Sequence, residues 1–246
     1  MSVLQDLCEY YGVFDSAVKR AFAPECALII DGSLAERSRV ATALQFKAAR
    51  DEMGLNATVV SGFTAKSSEL TLSLEDLRSI PEEKALVHDM LYCTWKAALA
   101  RNLAHALGDG FVIAGSWAEA AKWMDEHPME YSRFFERCSK ALAEREDTFI
   151  MVCDMLPLAR EDARFQYLVL RALLMLALWC KGLPSIVVKV ILTPEMLDGG
   201  RRPLDFVDAS KLLPSKSDLW EKNYKEEGFY LVRRARPKRK AKNTAA

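Results

Sequence analysis

The chain is poor in the residues that would force an unusual architecture. Eleven glycines and nine prolines among 246 residues are too few for a collagen-like, low-complexity or turn-dense all-β protein. No internal repeat recurs at a period of roughly 20–50 residues, which excludes solenoids and propellers. The six cysteines (Cys8, Cys26, Cys93, Cys138, Cys153, Cys180) form no Cys-x-x-Cys pair. The three histidines (His88, His105, His127) do not cluster with them, so a structural zinc site is not expected. Most of the cysteines lie in apolar context, as reduced core residues do, and this implies a reducing, cytoplasmic location. The opening MSVLQDLCEYYGVFDS has neither a basic region nor an unbroken apolar stretch, so no signal peptide is expected. The most apolar run, Leu168 to Cys180, carries Arg171 and falls short of the ~20 residues of a membrane span. It reads as a buried helix, and no membrane partner is expected.

What is present is an ordinary globular composition, 50% hydrophobic and 28% charged. Basic and acidic residues balance at 34 each, but seven of the cations fall in the last stretch: Arg233, Arg234, Arg236, Lys238, Arg239, Lys240 and Lys242. Subtracting those seven leaves 27 basic against 34 acidic residues in the body, a net of −7. An acidic body does not coat nucleic acid, so any such contact, or contact with an acidic protein partner, falls to the tail. Pro237 and the cationic run predict a disordered basic tail over 236–246, after a single domain over 1–235.

Short apolar strands alternate with helices along this domain. Before the first strand, the opening 22 residues read as two short helices broken at Gly12. Cys26–Ile30, Ala57–Ser61, Thr148–Cys153 and Ile186–Leu192 read as buried strands. Helices are predicted over Leu34–Met53, Lys84–Leu107, roughly 117–126 and 129–145, and about Arg160–Lys181. Ser73 with Asp76 and Ser116 with Glu119 have capping-box spacing. His88 and His105 fall in a helical run, and His127 before Pro128 marks a helix end. Beyond the fourth strand, Val207–Leu213 reads as a short helix and Asp218–Trp220 as the opening of a last strand. The expected fold is α/β: a three-layer arrangement of a parallel sheet flanked by helices, with a largely helical middle region.

Ligands of such sheets bind beyond the carboxyl ends of the strands. After the first strand comes Asp31-Gly32-Ser33-Leu34-Ala35-Glu36-Arg37-Ser38, where a phosphate loop G-x-x-x-x-G-K-[ST] would lie. Aligned on Gly32, its second glycine, lysine and hydroxyl become Arg37, Ser38 and Arg39. Aligned on Arg37-Ser38, its glycines become Asp31 and Glu36, whose carboxylates would repel phosphate. A plain strand-to-helix turn capped by Ser33 or Asp31 is the competing reading. After the third strand, Phe149-Ile150-Met151-Val152-Cys153-Asp154 is an apolar strand closed by an acid, the pattern that holds Mg²⁺ in nucleotide hydrolases. The next residues, Met155, Leu156 and Pro157, offer no second carboxylate, and a lone Asp also caps turns. Gly199-Gly200-Arg201-Arg202 reads as a turn, and no G-x-S-x-G elbow is present.

Taken in order, several stretches resemble the bacterial P-loop ATPases of the AAA+/STAND-like group. CALIIDGSLAERSRVATAL resembles the strand, phosphate loop and first helix, and the run from Ser61-Gly62-Phe63 through the helix with Trp95 resembles the following segment. TFIMVCDMLPL, LVLRALLMLALWC and SIVVKVILTPEML resemble the Walker B strand, its helix and the sensor strand, with Thr193 at the polar sensor position. Asp208-Ala209-Ser210-Lys211-Leu212-Leu213 with Leu219-Trp220 resembles the segment beyond. The resemblance spans roughly 24–232 and implies a P-loop NTPase-like fold. With the phosphate loop degenerate, it implies a pseudo-ATPase: no catalytic residue, no resident cofactor, and a regulatory or structural role in a multi-component complex, as a homo-oligomer or with a protein partner. One alternative is a nucleotide-binding NTPase, or ATP hydrolase, with an unorthodox loop. Gly32, Ser33, Arg37 and Ser38 would then contact nucleotide, and Asp154 would complete a Mg²⁺ site for ATP. The other alternative is a nucleic-acid-associated protein using the basic tail.

Overall fold

The computed structural model describes residues 28–30, 44–52, 54–80, 87–192 and 196. Its strands are β1 (Leu28–Ile30), β2 (Ala57–Phe63), β3 (Thr148–Asp154) and β4 (Ile186–Leu192). Its α-helices are α1 (Lys47–Glu52), α2 (Leu74–Arg78), α3 (Val87–Leu107), α4 (Trp117–Glu126), α5 (Pro128–Glu144) and α6 (Ala163–Cys180), with a 3-10 turn at Leu156–Arg160. All strand pairs are parallel, in the spatial order β1-β4-β3-β2. The chain is therefore α/β, a parallel sheet flanked by helices. The segments 1–27, 31–43, 193–195 and 197–246, with the opening helices, the 31–38 loop, Thr193, the Asp208–Leu213 segment and the basic tail, lie outside the described residues.

Local sequence explains the helix boundaries. Ser73 and Ser116 each accept the backbone N–H of Asp76 and Glu119, whose carboxylates take the serine N–H in return, so both boxes form. Asp162 receives the N–H groups of Arg164 and Phe165 at 3.0 Å and starts α6. Pro128 ends the α4 direction and opens α5, with His127 at the junction, because a proline is tolerated only in a first turn.

Strand alternation divides the sheet into two faces. Phe149, Met151 and Cys153 of β3 and Ile186, Val188, Val190 and Leu192 of β4 join one large core with α3, α4, α5 and α6. The alternate residues Ile150, Val152 and Ile191 are buried too, yet lie outside that core, as do Leu44 and Ala49. Right-handed crossovers account for the division. The β2→β3 and β3→β4 connections step the same way along the sheet and bring α3–α6 to one face. The β1→β2 connection, which holds Leu44 and α1, steps the other way along the sheet, the direction for which the right-handed rule expects the opposite face. By length and composition α6 is the one described helix that could cross a membrane. It packs instead between β4 and α3, with Leu170, Leu173, Leu174 and Leu176 buried, so the α3 helix supplies the inner cover that its apolar sequence demands.

β2 is two residues longer than expected from its sequence and contains an irregularity. Ser61 opposes Val152 and Phe63 opposes Cys153, which leaves Gly62 as the extra residue of a bulge. A Cβ on Gly62 would lie 2.7 Å from Met151 Cγ and Sδ and 2.9 Å from Cys153 Sγ. Gly62→Ala is therefore expected to cost about 1–3 kcal/mol through overpacking, read as a lower urea midpoint at an unchanged slope.

The described cysteines are all buried free thiols. Burial pushes Cys93 and Cys138 up to about 11 and raises Cys153 and Cys180 further. A thiol whose folded pKa exceeds its ordinary value of 9.0 stabilises the fold fully below that value and loses its contribution as pH rises through the folded one. Stability is therefore expected to fall between about pH 9 and pH 11. Denaturation midpoints across that range check it, and a flat profile would contradict the burial of these thiols.

Candidate functional site

The parallel order brings the carboxyl ends of all four strands to one edge. Ile30 of β1 pairs with Leu192, and Asp154 of β3 pairs with Ile191, so the ends of β1 and β3 flank β4 within one register step. Strand β1 lies beside β4, with β4 and β3 separating it from β2. Among the described strands this is not the dinucleotide-binding order, in which the first two strands are neighbours. The β1→β2 connection runs one way along the sheet and the β2→β3 and β3→β4 connections run the other, so the switch in direction falls beside β1. That is where parallel sheets open a ligand crevice. Of the residues expected to contact nucleotide, Gly32, Ser33, Arg37 and Ser38 lie outside the described residues, as do the seven tail cations. Asp154 is placed at this edge, as expected, with Asp31 following directly on the end of β1 in sequence.

Asp154 is half-buried, and its Oδ1 accepts the Leu156 N–H at 3.1 Å, closing the turn into the 3-10 segment. The next residue, Met155, is fully buried and donates its N–H to the Ile191 carbonyl at 3.0 Å. The following acids are engaged. Glu161 takes a forked pair from Arg78, whose Nη2 lies 2.6 Å from both carboxylate oxygens and whose Nε lies 3.1 Å from Oε2. The Glu161 partner raises the Arg78 pKa and ties α2 to the turn after β3. Asp162 is held by the α6 N-terminus. Among the described residues no three His, Cys, Asp or Glu side chains gather as a metal site.

The end of β2 supplies the other described loop at this edge. Ser68 and Thr71 hydroxyls lie 2.7 Å apart, and Thr64 Oγ1 donates to the Lys66 carbonyl at 2.6 Å. Arg101 braces the neighbouring backbone through the Ile113 and Gly115 carbonyls at 3.0 and 2.7 Å while stacking 4.3 Å above the Trp117 ring. Burial lowers the Arg101 pKa. These hydroxyls and guanidinium nitrogens are satisfied by their own chain, so this loop is an ordered wall of the edge.

Two buried lysines escaped the sequence reading. Lys96 of α3 is 5% exposed. Its ammonium donates to Tyr131 Oη at 2.8 Å and lies 4.2, 4.3 and 5.1 Å from the ring centres of Tyr92, Tyr131 and Trp179. Trp179 is near the far end of α6, roughly 24 Å along the helix from the carboxyl edge, so this cage fastens α3, α5 and α6 together away from the crevice. Lys189, in the middle of β4, is 0% exposed. It pairs in register with Val152, on the face that carries Ile191 and Asp154. Its only sequence signal is a cation inside the apolar run IVVKVIL. His105 is exposed on α3.

Comparison with protein-family models, with curated proteins and with solved structures returns no match.

Proposed function

We propose that this chain is a P-loop ATPase-like subunit that has lost hydrolysis, a pseudo-ATPase that works as a regulatory or structural member of a multi-component assembly in the cytoplasm. The observation that carries the reading is the engagement of the acids after β3. Hydrolytic versions of such a site usually carry a further carboxylate near the metal-binding Asp to orient water. Here the position after Asp154 is a buried methionine, and Glu161 and Asp162 are held by Arg78 and by the α6 N-terminus. The strand order, the place of Asp154 and the acid-bearing loop after β1 support the same reading. Purified protein is expected to turn over ATP no faster than buffer. Turnover well above that background, lost in Asp154→Ala, would overturn the proposal.

The second reading, nucleotide binding without an orthodox loop, draws on the cation–hydroxyl pair Arg37-Ser38. Calorimetry with millimolar Mg-ATP or Mg-GTP separates the two: heat and a matching thermal shift favour binding, and neither is expected from the degenerate loop. Tail contact with nucleic acid is the third. It predicts that truncation after Arg236 weakens a salt-sensitive binding.

Assembly draws on α6. Its outer residues Leu168, Met175 and Leu178 remain half-buried beside the covered ones. Light scattering is expected to give more than the monomer mass of 27.7 kDa, for the chain alone or with its partner. A monomer under both conditions would remove the assembly part of the proposal.

A further inference from the structure

We propose that Arg101 and Asn102, near the C-terminal end of α3, form a two-sided clamp that makes the 64–72 loop and the 108–115 segment open and close as one unit. The device does not depend on the pseudo-ATPase reading. Consecutive residues of the helix hold different loops. Asn102, 3% exposed, donates its side-chain amide to the Leu70 carbonyl at 2.5 Å and to the Ala98 carbonyl of its own helix at 2.9 Å. Arg101 donates Nε to the Ile113 carbonyl at 3.0 Å and Nη2 to the Gly115 carbonyl at 2.7 Å. Its Nη1 reaches the Glu69 carbonyl at 3.5 Å, so one guanidinium touches both loops. The same group lies 4.3 Å from the ring centre of Trp117, the first residue of α4.

Each loop is built to move as a body. The 64–72 loop is closed at its base, where Thr64 N–H donates to the Leu72 carbonyl at 2.9 Å and Leu72 N–H to the Gly62 carbonyl at 3.1 Å. Its residues 65–69 are exposed. The 108–115 segment is bounded by Gly108 at φ 64 and Gly115 at φ 88, left-handed conformations that glycine adopts without steric cost. Its tip carries Val112, 78% exposed. Its other anchors are Phe111, stacked 4.0 Å from Phe134, and Asp109, whose two oxygens lie 3.2 and 3.0 Å from Arg137 Nη2. When the Ile113 and Gly115 carbonyls leave, the half-buried guanidinium loses its best acceptors and turns to water, and its hold on Glu69 goes with it. Opening one loop therefore makes opening the other easier, so the pair behaves as one local unfolding unit. A disturbance at the exposed tip is felt at the wall of the carboxyl edge.

The test is amide hydrogen exchange on the full chain, with every rate taken relative to the amides of β3 and β4. Arg137→Met removes the fork on Asp109 and leaves both clamp residues in place. It is expected to quicken exchange at Asp109 and Phe111 roughly threefold, the scale of an exposed ion pair. The Thr64, Thr71 and Leu72 amides are expected to quicken by the same factor. Arg101→Met is expected to quicken both loops by about tenfold, the scale of losing hydrogen bonds from a charged donor. Adding Arg137→Met to it is then expected to change the 64–72 amides no further. If Arg101→Met does not fold, Arg101→Lys, which keeps the charge but not the fork that spans the two carbonyls, replaces it in the cycle. Tryptic cleavage after Lys66, exposed in the 64–72 loop, is expected to follow the same pattern. Quickening by Arg137→Met that stays within 108–115 overturns the proposal. Quickening at 64–72 that is equal with and without Arg101 overturns it too, because the coupling would then bypass the clamp.

Discussion

Strand β4 has to be buried on both faces, and much of the described structure follows from that. It runs between β1 and β3, paired with β3 from Ile186 to Ile191 and with β1 from Val190 to Leu192, and its neighbours on both faces exclude solvent. A parallel strand in this position reads as continuous hydrophobicity, and six of the seven residues in IVVKVIL obey. One face meets α6 and, through it, α3. The other carries Ile150, Val152 and Ile191, all buried, outside the main core. The helical layer is thick on one side because three consecutive helices and α6 all arrive there by crossovers of one hand.

The elements with strong local signals were legible from the sequence. The two serine capping boxes, the Pro128 junction and the strands at 57, 148 and 186 needed only spacing and apolar runs. The extension of β2 to Phe63 was not visible, because Gly62 reads as a strand breaker. It is the close packing of Met151 and Cys153 that makes glycine the residue admitted there. Strand order was also beyond the sequence. Apolar runs of equal length do not say which strand is central, and β4 takes that place between β1 and β3 through the lengths and hands of its connections.

The candidate site was legible in part for the same reason. An apolar strand closed by Asp announces Asp154, and the missing acid beside it is plain in Met155. The fates of Glu161 and Asp162 were not visible, since a carboxylate seven or eight residues on can as well face a crevice as pair with Arg78 or cap a helix. Lys189 was hidden by alternation. In a strand buried on one face a lysine every second residue is ordinary, and only the burial of both faces turns the same residue into a charge enclosed by the protein.

The two buried lysines show different ways of meeting that cost. Lys96 is stabilised by the negative faces of three aromatic rings and by the Tyr131 hydroxyl, an arrangement in which cation–π attraction strengthens as water is removed. It needs no acid, and it joins three helices whose positions are already set by the core. Lys189 lies on a sheet face whose β3 neighbours, Ile150 and Val152, are aliphatic. The cage at Lys96 therefore closes on itself and is built wholly from helices, whereas Lys189 is enclosed within the sheet.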